Sequence, residues 1–174
     1  GAVDSTITGA RAVSVEAVKV YSNINTLTAT GASSGSTLSL ASIDSDNTAF
    51  AANQTAIKDR LNKTGDASFH LLSGVEVRST GDLTLGTGLA TTDWNLQASR
   101  AGGEAGVLTL RAEGSLNINS NLSDGFSHAT AFSSGSTPAT LVAGDSWTYR
   151  LVAGADSAAA NPLAVAAAKN FTLA

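Results

Sequence analysis

The run Gly74-Val75-Glu76-Val77-Arg78-Ser79-Thr80-Gly81-Asp82-Leu83-Thr84-Leu85 returns in outline as Gly106-Val107-Leu108-Thr109-Leu110-Arg111-Ala112-Glu113-Gly114-Ser115-Leu116-Asn117-Ile118. Aligned on Arg78 and Arg111, an offset of 111 − 78 = 33 residues, both copies read apolar-x-apolar-Arg-x-x-Gly-x-Leu-x-apolar. Side chains of a strand alternate between its two faces, so Val75, Val77, Leu83 and Leu85 share one face while Glu76, Arg78, Asp82 and Thr84 take the other. The second copy offers Leu108, Leu110, Leu116 and Ile118 to the same interior. Units this short do not bury a core alone, which favours coils stacked on one another, a β-solenoid. The competing arrangement is a pair of ordinary β-hairpins turning at Thr80-Gly81 and Glu113-Gly114. In a hairpin the two arms pair with each other; in a solenoid each arm pairs with its counterpart one coil away.

At 174 residues the chain suits one domain or one segment of a longer array, and 43% hydrophobic content suffices for a core. Much of that content is Ala and Val, with 5% aromatic residues and no Met, which fits a narrow interior of small, β-branched and Leu side chains. Charged residues make up 14%, well under the usual quarter, so Ser, Thr, Asn and Gly are left to make the surface. A net charge of −4 with scattered basic residues argues against nucleic acid as a partner, because that affinity rests on clustered Lys and Arg. The chain has no Cys, so disulfides and thiolate metal sites are excluded, a composition that fits an exported bacterial protein. No run of about 18 apolar residues occurs, and no membrane span is expected. The start at Gly1-Ala2-Val3-Asp4 lacks a leader pattern, and the pattern at Asn170-Phe171-Thr172-Leu173-Ala174 breaks off in mid-strand, so a segment of something larger is expected.

Strands are expected from Ser5 to Tyr21, at Leu38 to Leu40, Phe69 to Leu85, Trp94 to Leu96, Val107 to Asn119, Ala139 to Val142, Trp147 to Val152 and Phe171 to Leu173. Turns separate them at Gly31 to Ser36, Gly86-Thr87-Gly88, Gly102-Gly103, Ser123-Asp124-Gly125, Ser133-Ser134-Gly135-Ser136 and Asp156 to Pro162. Between Asp44 and Leu61 the period changes: Asp46 or Asn47 is a candidate cap, Phe50, Ala51, Ile57 and Leu61 recur at helical spacing, and Gly65 is a candidate stop. One short helix over 44–62 is expected, outside or at the edge of the stacked strands. No stretch reads as a linker between domains, so residues 1–174 are read as a single segment.

Candidates for chemistry are few. His70 and His128 lack a companion at metal-ligand spacing, and His70 reads as a surface or half-buried structural side chain. Gly31-Ala32-Ser33-Ser34-Gly35 matches a nucleophile elbow in letters but not in its strand-turn-helix setting. Four Asn-x-Ser/Thr sequons, beginning at Asn53, Asn62, Asn121 and Asn170, are of a kind frequent by chance in such a composition. Arg78 and Arg111 would lie about 4.8 Å apart on neighbouring coils, and are expected to point outward and pair with Glu76 and Glu113. No catalytic residue, cofactor or metal ligand is assigned. The residues put forward as a ligand-contact surface are Arg78, Asp93, Trp94, Arg100, Glu104 and Arg111.

The blocks Phe69 to Ser79, Gly81 to Leu85, Asp93-Trp94-Asn95-Leu96, Gly102 to Ala112 and Ser123-Asp124-Gly125-Phe126, with the later run Asp145 to Asp156, have an order and spacing that resembles the shaft of filamentous haemagglutinin-like exoproteins. The resemblance covers roughly residues 44 to 174 and departs at Ser73 and Ala105, where many relatives would carry Pro. It implies an all-β fold, a right-handed parallel β-helix with one helical excursion, exported through an outer-membrane β-barrel transporter by two-partner secretion. The implied role is a secreted or cell-surface shaft that is structural and adhesive, meeting a host-cell or bacterial receptor or a glycan. Two alternatives stand beside it. One is a β-helical protein that binds or cleaves polysaccharide, with Arg100, Glu104, Asp93 and Trp94 in one groove; the other is a filament subunit stacking end to end.

Overall fold

The computed structural model describes residues 9–29, 31–87, 93–100, 103–127 and 140–173, and shows parallel β-sheets with one helix. Of the expected features, residues 5–8, Gly88, Gly102, His128, the turn at Ser133 to Ser136 and Ala139 lie outside the described residues. The first strands are β1 (Val13–Tyr21), β2 (Thr26–Thr28) and β3 (Thr37–Ser39), followed by the helix α1 (Leu40–Arg60). Then come β4 (Phe69–Ser79), β5 (Leu83–Leu85), β6 (Trp94–Asn95) and a 3-10 turn, Leu96–Ser99. The chain continues through β7 (Val107–Ala112), β8 (Leu116–Ile118), β9 (Leu122–Ser123), β10 (Thr148–Ala153) and β11 (Phe171–Leu173).

Among the described residues three sheets result, ordered β1-β4-β7-β10, β11-β8-β5-β2-β3 and β6-β9. Their pairings are parallel, so the chain visits the sheets in turn and returns to each beside its earlier strand. The two arms of the sequence repeat pair with their counterparts, β4 with β7 and β5 with β8, which excludes the hairpin arrangement. The register keeps the sequence offset: Val75 lies beside Leu108, Val77 beside Leu110, Arg78 beside Arg111 and Leu85 beside Ile118.

Parallel pairing in register piles like side chains into columns. Tyr21, Val77, Leu110 and Leu151 form one across the first sheet. Leu38, Leu27, Leu85, Ile118 and Leu173 form another across the second. Leu27, Leu85, Val77 and Leu110 are completely shielded from solvent, whereas Leu173, at the end of its column, is largely exposed. Truncating one of these central Leu residues to Ala would cost about 2–5 kcal/mol.

The helix starts at Leu40, ahead of the expected Asp44, and ends at Arg60. Asp46 and Asn47 lie inside it and do not cap it, because partners outside the helix claim their side chains. Lys19 Nζ and Tyr21 Oη each donate to Asp46 at 2.5 Å, and Ser73 Oγ donates to Asn47 Oδ1 at 2.7 Å. Ser39 is the N-cap, and its N–H goes to Ser33 Oγ, which gives the apparent nucleophile motif a structural task. The stop is Asn62, not Gly65: Asn62 adopts φ 55°, its N–H donates to Asp59 O, and the Lys63 N–H donates to Lys58 O, the paired bonds of a Schellman motif. The buried face is Leu40, Ile43, Asn47 and Gln54. Its polar half answers polar groups of β4, as where Gln54 Nε2 donates to Leu71 O at 2.6 Å. Of the strand expected at Ala139 to Val142, the described part forms only an isolated antiparallel bridge between Leu141 and Phe126.

Gly154, after β10, sits at φ +68°, and a Cβ there would lie 1.7 Å from Ala167 O. Gly103 sits at φ +86° with no atom within 4 Å of such a Cβ. Replacing each with Ala separates backbone strain from contact. Gly103→Ala is expected to cost about 1 kcal/mol of unfolding free energy and Gly154→Ala at least about twice that, measured by urea denaturation. Equal losses would mean that the turn after β10 does not close on Ala167.

Candidate functional site

Alternation and register together decide what shares the outer face of the first sheet. Glu76 and Thr109 are register partners flanked by Arg150, and Arg78 lies beside Arg111. Glu16 and Val18 of β1 fall on the same face, Val18 beside Gly74. The segment 156–162 folds over them, so Ser157, Ala158 and Pro162 help to close a pocket of about 370 Å³. Asp156 shapes that cover: its Oδ1 accepts the N–H groups of Ala158 and Ala159, and its carbonyl accepts Arg111 Nη2 at 2.5 Å.

Two guanidinium groups on adjacent strands repel unless something lies between them. Glu76 does so, since its Oε1 accepts Arg78 Nε at 2.7 Å and Arg111 Nη1 at 3.0 Å. Burial pushes the Glu76 carboxyl up, but the two guanidinium hydrogen bonds outweigh it and hold the group below the usual carboxylate range. The hydrogen bond to Glu76 in turn raises Arg78. A second pair, Arg150 to Glu16, is bidentate at 3.0 and 2.9 Å and joins the last strand of the sheet to the first. Among the described residues, Arg78 makes its hydrogen bond through Nε, leaving the terminal nitrogens open. Among the described residues, Arg111 Nε is buried without a partner.

The outward pairing expected for Arg111 is therefore corrected. Arg111 is 1% exposed and shares Glu76 with Arg78, whereas Glu113 lies exposed beyond the end of β7. The cover by 156–162 turns a strand face that alternation marks as solvated into an interior.

The other candidate residues have separate surroundings. Asp93 accepts the backbone N–H and the Nδ2 of Asn121. Trp94 is buried and donates Nε1 to Asp44 Oδ1 at 3.2 Å; burial raises the Asp44 carboxyl and that hydrogen bond opposes the rise. Arg100 donates to the carbonyls of Ala143 and Asp124. Glu104 meets half-exposed His70 at 3.2 Å and Lys58 at 3.9 Å. The structure thus brings Arg78 and Arg111 together. Glu16, Thr109 and Arg150 were not singled out in the sequence, although alternation within β1, β7 and β10 marks their outward position. The pairing of Glu16 with Arg150, 134 residues apart, leaves no local signal.

Removing the Glu76 charge would leave Arg111 buried beside a like charge. Glu76→Gln is expected to lower stability by about 3–5 kcal/mol near neutral pH. Because the folded carboxyl titrates below its unfolded value, this contribution is present above the unfolded pKa and is lost as the pH falls through the folded one. The gap between wild type and Glu76→Gln should therefore narrow below roughly pH 4 in urea melts run across pH. A gap that widens on acidification would show that Glu76 is not the bridging anion.

Comparison with protein-family models, curated proteins and solved structures gives no match to this chain.

Proposed function

We propose that the chain is a segment of a right-handed parallel β-helix serving as the structural and adhesive shaft of a filamentous haemagglutinin-like exoprotein. In this reading it is secreted through an outer-membrane β-barrel partner and holds binding surfaces away from the bacterial cell. The observation that carries the proposal is the return of the chain to the same sheets with a 33-residue register, β4 onto β7 and β5 onto β8. An array of that kind grows by local contacts between neighbouring passes and needs no disulfide, which suits folding outside the cell.

The use of the acids supports the reading. Asp82 Oδ1 accepts the Ser115 N–H at 2.6 Å, Asp93 Oδ1 the Asn121 N–H at 2.8 Å, and Asp124 Oδ2 the Trp147 N–H at 2.5 Å. Each carboxylate ties one pass of the chain to the backbone of the next, a structural use of the acid. We assign no catalytic residue. No helix among the described residues is long and apolar enough to cross a membrane.

Two measurements test the proposal. Placing three additional copies of residues 74–106 between Gly106 and Val107 should lengthen the particle by roughly 14 Å in small-angle scattering, about 4.8 Å per pass, with cooperative unfolding retained. A collapsed or unfolded product would sink the stacked-coil reading. Beads coated with the chain are expected to bind bacterial or host cells above albumin-coated beads and to release no reducing sugar from a polysaccharide panel. Release of reducing ends would replace the shaft with a polysaccharide-cleaving protein.

A further inference from the structure

We infer that the pocket on the outer face of the first sheet binds a single carboxylate carried on a sugar, as in a uronic acid residue of an acidic glycan. The inference rests on the geometry of that pocket and is independent of the shaft reading. The ionic groups lining it are Arg78, Arg111 and Arg150 against Glu16 and Glu76, a balance of 3 − 2 = +1. One negative charge is neutralised there; a polyanion would meet the two carboxylates.

The donor for that charge is Arg78. Glu76 holds its Nε at 2.7 Å and so orients the guanidinium plane, while among the described residues the two terminal nitrogens have no acceptor. Their parallel N–H groups match the two oxygens of a carboxylate, a bidentate geometry available to Arg and not to Lys. Arg111 is held by Glu76 and the Asp156 carbonyl and strengthens the local positive potential. Thr109 and Ser157 contribute hydroxyls to the same lining, and Glu16 and Glu76 contribute carboxylate oxygens, which are acceptors for sugar hydroxyls. A volume of about 370 Å³ falls within the range of small-ligand pockets. Among the described residues the lining holds no aromatic ring on which a neutral sugar would stack, so charge must supply the recognition.

The test is calorimetric titration of the intact chain with galacturonic acid, which carries one carboxylate, its methyl ester, a sulfated monosaccharide and N-acetylglutamate amide. Galacturonic acid is expected to bind saturably, the ester at least about tenfold more weakly, and Arg78→Gln to weaken the acid by about tenfold while leaving the ester unchanged. Arg78→Lys should recover part of the loss. Thr109→Val, nearly isosteric, provides a second variant and should weaken the uronide several-fold if its hydroxyl meets the sugar. Equal binding of acid and ester, unchanged affinity in Arg78→Gln, or absence of saturable binding overturns the site. Tighter binding of the sulfated sugar or of the glutamate derivative overturns its assignment to a uronic carboxylate.

Discussion

Parallel pairing in register sets every side chain beside its counterpart from the neighbouring pass, and the rest of the structure follows from that constraint. Where the counterparts are apolar the result is a continuous column, as from Leu38 through Leu27 and Leu85 to Ile118. Where they carry the same charge the result is repulsion, as between Arg78 and Arg111. The bridging carboxylate of Glu76 resolves that conflict from two residues away on the same strand face. A buried anion held by two cations is worth keeping only as a unit, since removing one member leaves the others unpaired in a poor solvent.

The same constraint explains the small residues at close approaches. A Cβ at Gly114 would lie 2.2 Å from Asp82 Oδ1, the atom that accepts the Ser115 N–H. Gly106 has Ser73 O at 2.4 Å from where its Cβ would be. These positions are narrow because one pass lies directly against the next, and a side chain would push the strands out of register. The polar ties between passes therefore come from short acids in the corners, Asp82 and Asp93, which reach backbone amides without crossing the core.

Alternation and the 33-residue offset made most of the first and second sheets legible, because a strand face needs nothing beyond its own residues to declare itself. The helix was legible in type but displaced in its ends. Asp46 and Asn47 resemble caps until Lys19, Tyr21 and Ser73 approach from other strands. The short strands β2 and β9 escaped because two or three residues carry no period. At the pocket, Arg78 and Arg111 stood out through the repeat, whereas Glu16 and Arg150 meet across 134 residues and share nothing local.

By itself, the order of residues determined that the chain forms short strands with an apolar and a polar face, that two of its units are copies, and that thiol chemistry is closed to it. Those properties depend on each residue and its near neighbours. Tertiary structure decided that copies pair side by side and not as hairpins, that the polar face of the first sheet becomes a covered pocket, and that Glu76 belongs to Arg111 as much as to Arg78. Each of these depends on which distant strand arrives at a given edge and on where segment 156–162 comes to rest. The physical reason is that burial and charge pairing are set by neighbours in space, and alternation along a strand names faces without naming what will cover them.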